Sequence, residues 1–181
     1  MSAFLDTSPP KVTLFDMSRP GEADSSLELQ FNPTEYRRKI QANYSRLEPI
    51  GMPHTVLQYK NTPNQVVTMN MFFMVRGKDT ANICAKALAW MESLMYARRR
   101  ATTIQGGSPP DVLLVWPGDL TMRVKVMNVS ETASRFARTT TGTSQMTLAV
   151  TFEEVRTSRW TLEQARRYGG LRTSPPVDPF A

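Results

Sequence analysis

The chain has 181 residues, the length of one domain with at most a tail. Lys and Arg number 22 against 16 Asp and Glu, a net charge of +6, and 40 % of residues are hydrophobic, which excludes a chain disordered throughout. One Cys and one His exclude an internal disulfide framework and a zinc site built from those residue types.

The start, MSAFLDTSPP, lacks the basic residues and apolar core of a secretion signal. Apolar runs such as Met71–Val75 are far short of a membrane span. Synthesis in a reducing cytosol is expected. To about Asp24 the chain holds Pro9, Pro10, Pro20 and Gly21 and reads as irregular. Its one apolar run, Lys11–Asp16, is expected to be a short strand or an arm, and the prolines before it suit a sheet edge. Ser26–Phe31 alternates, with Leu27, Leu29 and Phe31 on one face of a half-buried strand. Asn32-Pro33 ends it as a turn. Glu35–Tyr44 alternates again, with Ile40, Ala42 and Tyr44 opposite Lys39, Gln41 and Asn43. Thr55–Lys60 is a third short run. Val66–Val75 is apolar on both faces at its end, with Met69, Met71 and Phe73 on one and Phe72 and Met74 on the other. Such a strand is covered on both sides, by a sheet, a helix or a neighbouring subunit.

The period changes at Gly77. Asp79 suits an N-cap, and Ile83, Ala87, Trp90 and Leu94, with Cys84, Leu88, Met91 and Met95, make a wide helical stripe. Arg98–Arg100 close this helix, expected over about 79–100, where cations suit the dipole. Thr102–Pro110 is a loop. Val112–Trp116 is a short strand stopped by Pro117-Gly118. Leu120–Val129 puts Leu120, Met122, Val124 and Val126 on one face. Ser130–Ser144 is polar and is expected to be a loop. Gln145–Val155 turns Met146, Leu148, Val150 and Phe152 inward. Thr161–Tyr168 reads as a short helix and the end from Thr173 as an extended tail. Helical segments do not alternate regularly with strands, so a mostly antiparallel sandwich or barrel with one packed helix is expected.

Catalytic groupings are sparse. His54 reads as a loop histidine, since no G-x-S-x-G elbow accompanies it. Cys84 falls on the helix stripe and reads as a small core hydrophobe. Glu153 and Glu154 are adjacent on a strand, so they face opposite ways. Asp111 and Asp119 flank a strand as turn acids. No metal or cofactor is called for. Arg37-Arg38-Lys39, Arg98–Arg100 and Arg166-Arg167 are basic clusters. They read either as solvated faces and a helix end or as a phosphate-binding surface. The methionines near Val66–Val75 leave two readings side by side: core filling, or a subunit interface at Met69, Met71, Phe72 and Met74.

One set of motifs goes further. Leu29–Tyr36 reads LQFNPTEY, in which Phe31, Asn32, Pro33, Glu35 and Tyr36 form an F-N-P-x-E-Y turn. Downstream come Phe72-Phe73, the long helix, Pro109-Pro110 leading into Val112–Trp116, and a last strand ending in Thr151-Phe152-Glu153-Glu154. This order resembles the tube-like baseplate proteins of contractile injection systems and contractile-tailed phages, over about Leu27–Val155. The motif departs from the family at Trp116-Pro117-Gly118, where Trp-Gly is common. The resemblance implies a mainly β (α+β) tail-tube fold: two packed antiparallel sheets forming a small barrel with one flanking helix. It implies an arm over 1–25, a tube-like domain over 26–156 and an extension over 157–181, without the LysM module many members carry. It implies a non-enzymatic virion protein of the tail baseplate, assembled in the host cytoplasm. Six copies would form a ring between the tail tube and the central spike hub, initiating tube assembly, with no membrane partner and DNA only in transit. A tube subunit or terminator of the same particle is the nearest alternative, and a basic nucleic-acid-binding module the alternative from another class.

Overall fold

The computed structural model describes residues 9–22, 24–75, 83–97, 107–136 and 143–156. Its elements in chain order are β1 (Thr13–Asp16), β2 (Ser26–Glu28), β3 (Tyr36–Lys39), β4 (Asn43–Leu47), β5 (Val56–Asn61), β6 (Val66–Met74), α1 (Ile83–Ser93), β7 (Val112–Trp116), β8 (Leu120–Phe136) and β9 (Thr143–Glu154). Every strand pairing among them is antiparallel. Seven strands form one sheet in the order β2-β1-β7-β8-β9-β6-β3, and β4 and β5 form a separate pair. Among the described residues the architecture is thus mainly β, two antiparallel sheets with one helix, as the sequence predicts.

Alternation fixes which face is buried. On β1, β7 and β8, Leu14 pairs with Leu114 and Leu114 with Met122. On β8, β9 and β6, Val126 pairs with Phe152 and Phe152 with Val67. All six side chains are buried, so one core face runs across the sheet. α1 lies on β6, β8 and β9. Cys84, Ala87, Met91 and Leu94, spaced three, four and three, are its buried stripe. The Trp90 indole N–H donates to the Asp24 carbonyl at 2.9 Å and ties the helix to the chain before β2.

The sheet is rolled. Tyr36 pairs with buried Met69 and Trp116 with buried Leu120, so both rings belong to the core face. β8, β9 and β6 separate their strands in the sheet, yet the ring centroids lie 5.8 Å apart. Among the described residues the backbone ladder nevertheless stops short of a closed barrel, with β2 and β3 as its ends.

Four expectations need correction. Lys11–Asp16 is no edge: β1 lies between β2 and β7 with Leu14 buried, so it belongs to the sheet and not to an arm. Pro9 and Pro10 are tolerated because they precede the ladder, which starts at Thr13. Glu35–Tyr44 is two strands in two sheets; Ile40 and Tyr44 are exposed, because the chain leaves the core at Ile40. The described part of the polar stretch Ser130–Ser144 is strand, not loop: Ser130–Phe136 on β8 and Thr143–Ser144 on β9. β8 continues to Phe136, pairs with β9 throughout, and the Ser134 and Ser144 hydroxyls donate across the pair to Gln145 and Arg135 carbonyls. Its composition is polar because both faces are largely exposed there. Finally, described helix covers Ile83–Ser93 only. The expected N-cap Asp79, Arg98–Arg100, most of the 101–111 loop, the Thr161–Tyr168 helix, Arg166-Arg167 and the 157–181 extension lie outside the described residues.

Candidate assembly interface

The F-N-P-x-E-Y residues sit where the rolled sheet comes closest to closing. The Asn32 side-chain amide donates to the Pro10 carbonyl at 3.0 Å and accepts the Val12 N–H at 3.1 Å. Two residues earlier the Gln30 amide donates to the Met74 carbonyl at 2.9 Å and accepts the Met74 N–H at 2.8 Å. Each amide presents the donor and acceptor that a neighbouring strand would. Together they bridge the chain before β1 to the end of β6, a seam made by side chains where no backbone ladder runs. Phe31 packs on Phe72 at 5.6 Å, Pro33 is buried and Glu35 is exposed. Tyr36 meets Trp116, so the two sequence motifs, far apart in the chain, join in space. Replacing Gln30 by Ala leaves both Met74 backbone groups without this partner. A loss of about 1–3 kcal/mol in urea unfolding is expected.

The Pro109-Pro110 motif is pinned by charge. The Lys125 ammonium donates to the Pro109 carbonyl and the Ser108 hydroxyl, each at 2.7 Å, and lies 3.1 Å from Asp111. Arg123 donates to Asp111 through Nε at 2.8 Å and through a second guanidinium nitrogen. Asp111 is therefore engaged by two cations and does not form a carboxylate pair of acid–base type. Burial alone would push its carboxyl up. Hydrogen bonds from Arg123 and Lys125, and then their charges, outweigh that and hold it below the ordinary value. A lowered folded value means that unfolding takes up a proton. The stabilisation is whole above the unfolded carboxylate range and is lost as pH falls through the lowered folded value. Asp111→Asn should therefore cost most above about pH 5, and the Tm gap to wild type should shrink in acid.

The expected interface methionines divide by face. Met69 and Met71 are buried in the core of the chain itself, opposite Val150 and Leu148, so they are not an interface. Phe72 and Met74 lie half-buried on the other face, Phe72 against Phe31. Cys84 is buried and donates to the Phe73 carbonyl at 3.8 Å; burial first, and then the charge of Glu131, push its thiol up. His54 is exposed between β4 and β5. Glu153 is half-buried and accepts from Asn64, whereas Glu154 points inward, 3 % exposed, onto Arg156. Phe152 is buried. Arg37 and Lys39 are exposed on β3, while Arg38 donates to Gln65. Among the described residues no group of three or more His, Cys, Asp or Glu is arranged to hold a metal ion, and no helix is long and apolar enough to cross a membrane.

Two open surfaces remain. β7 covers one edge of β8 only from Leu120 to Val124. From Lys125 to Phe136 that edge has no strand partner among the described residues. The outer face of β6, β9 and β8 places Thr68 beside Thr151 and Asn128, and Asn70 beside Ala149 and Ser130, an uncharged band of small polar residues. Sequence alternation marks this face as polar but gives no sign that the β8 edge lacks a strand partner among the described residues.

The Dit protein of phage SPP1, described as a paradigm of the hub adsorption apparatus of phages infecting Gram-positive hosts, is similar over 79 % of this chain, at 12 % identity and TM-score 0.46. The chain spans 49 % of that protein's length. A chain of the six-fold symmetrised baseplate of the anti-feeding prophage is similar over 86 % of this chain and 95 % of its own, at 9 % identity and TM-score 0.35. No protein of curated function matches. The family model described as contractile injection system tube protein matches residues 10–157, from the chain before β1 to just past β9. The chain therefore belongs to the contractile injection system tube protein family.

Proposed function

We propose that the protein is a non-enzymatic, ring-forming component of a contractile tail: a baseplate adaptor that joins the tail tube to the central spike hub and starts tube growth. The observation that carries this reading is the edge of β8 that no strand among the described residues covers, in a chain of the tube family. A long unpaired edge invites strand addition, and a closed ring of identical subunits uses it up without leaving a growing end. Six copies are the number this reading takes, with the tube protein and hub proteins above and below. Phe72 and Met74 remain the part of β6 open to a neighbour. The outer face of β6, β9 and β8, with its Thr, Asn and Ser band flanked by Glu153 and Lys125 and by Arg37 of β3, is the surface this reading turns to the channel. The virion tail is then its location.

A second reading is favoured by the family description itself, which names a tube protein: the chain would be the repeating tube subunit. Copy number per particle separates the two. One or two rings are expected for an adaptor and many for a tube subunit. Light scattering of the pure protein and negative-stain imaging of particles test the shared part. Monomers alone, with no ring in assembled particles, reject both.

A further inference from the structure

The outer face of the sheet changes character at β7. Leu14 and Leu114 are buried in the core, so Phe15, Leu113 and Val115 beside them face outward. Phe15 is 40 % exposed, and Met17, next on the same face, is 44 % exposed. Phe15 pairs with Leu113, and Leu113 with Arg123. Val155 completes this transverse row: its N–H donates to the Arg123 carbonyl at 2.9 Å, one step past the Val124–Glu154 pair. The described chain ends one residue later, at Arg156, on the row that leads to Phe15. Arg123, the charged member of the row, is already held by Asp111.

Distances decide what the following residues can reach. Three strand spacings of about 4.8 Å separate Val155 from Phe15, roughly 14 Å. The five residues from Val155 to Trp160 span at most about 17 Å. Phe72, an apolar residue at the far end of the outer face, pairs with Thr147, eight residues up β9 and about 27 Å away, beyond that reach. The sequence at this point is built to dock. Thr161 and Gln164 have capping-box spacing, and Trp160 and Ala165 have that of a hydrophobic staple. Leu162, Ala165 and Tyr168 follow at helical spacing. The family model stops at residue 157, so this segment is particular to the chain and not part of the family pattern. A tether of four residues, 156–159, holds Trp160 near its own sheet at a millimolar effective concentration, which favours the same chain over a second copy.

We infer that residues 157–168 fold back over the outer face of β1 and β7 of their own chain, with the Trp160 indole seated on Phe15 and Leu113. The inference does not rest on the ring reading, since a monomer would show the contact as well as a ring.

The test uses the full chain. The one natural cysteine, Cys84, is buried, so Met17→Cys supplies an accessible thiol on the outer face for a photoreactive maleimide. Trypsin cuts after Arg159 and Arg166 and releases residues 160–166 as one peptide. Illumination should join the label to that peptide within single chains. Phe15→Ser, which touches nothing in the core, should lower the yield by at least about tenfold, as the loss of an anchor does, with the circular dichroism retained. Trp160→Ser should lower it equally, and covers the case in which Phe15→Ser misfolds. Labels joined only to peptides outside residues 157–168 overturn the inference, as does a yield that neither substitution lowers. Mixed heavy-isotope and unlabelled chains reveal the remaining outcome: links to the same peptide found between chains would show that the segment covers a second copy, and overturn it too.

Discussion

Replacing Arg156 by Ala is expected to cost about 3–5 kcal/mol of stability, because it leaves the Glu154 carboxylate buried without its cation. Arg156 Nε lies 2.8 Å from that carboxylate, and the two side chains are 16 % and 3 % exposed. Glu154 sits inside because β9 alternates through it: it pairs with Val124, and its N–H donates to the Gln65 carbonyl at 2.8 Å. In a chain of this size the change should lower Tm by about 6–20 °C. Glu154→Gln on top of Arg156→Ala should recover a large part of the loss, since it removes the stranded charge. Glu154→Leu/Arg156→Met should fall closer to wild type than Arg156→Ala does. A Tm within about 2 °C of wild type for Arg156→Ala would show that the pair behaves as a solvated surface bridge.

Phe152→Ala should be of similar size, about 3–5 kcal/mol, by a different mechanism. Phe152 is fully buried between Val126 of β8 and Val67 of β6, at the middle of the rolled sheet. The sheet cannot collapse onto the vacancy, because both neighbours are held in a continuous ladder. Phe136, on β8 but 73 % exposed, is the control: Phe136→Ala should change the stability of the isolated chain by less than about 0.5 kcal/mol. Urea unfolding of the two variants should therefore separate widely. If both lose the same stability, the burial contrast between Phe152 and Phe136 is not what governs the fold.

Much of this architecture is legible in the residues. Met146, Leu148, Val150 and Phe152 alternate inward as their spacing says, and Leu120, Met122, Val124 and Val126 do the same on β8. The helix stripe and the core position of Cys84 also follow from spacing. Other features escape for physical reasons. Ser, Thr and Asn pair in a ladder as readily as in a loop when both faces are wet, so the distal half of β8 has no hydrophobic signature. β1 has a Leu14 that any sheet could bury, and only its partner β7, a hundred residues on, makes it interior. Alternation in Tyr44 and Leu57 names a face but does not say whether anything covers it. The F-N-P-x-E-Y and Pro-Pro motifs give the family, while their task, a seam of side-chain amides and a pinned turn, is visible only in three dimensions.

Strand order has a consequence for how the chain is made. β1 pairs with β7 and β6 with β9, so β1 and β6 leave the ribosome before the strands that join them into one sheet exist. Until then Leu14, Met71 and Phe73 have no sheet to pack against. At typical rates of about 5–20 residues per second, the wait from the end of β6 to the end of β9 lasts roughly 4–16 s. The β7–β8–β9 meander, whose strands pair with their neighbours in sequence, is the piece that can form first and then collect the older strands on both flanks. The earliest-made segments are thus the last to be secured, and a subunit becomes competent to join an assembly only after β9 has been synthesised.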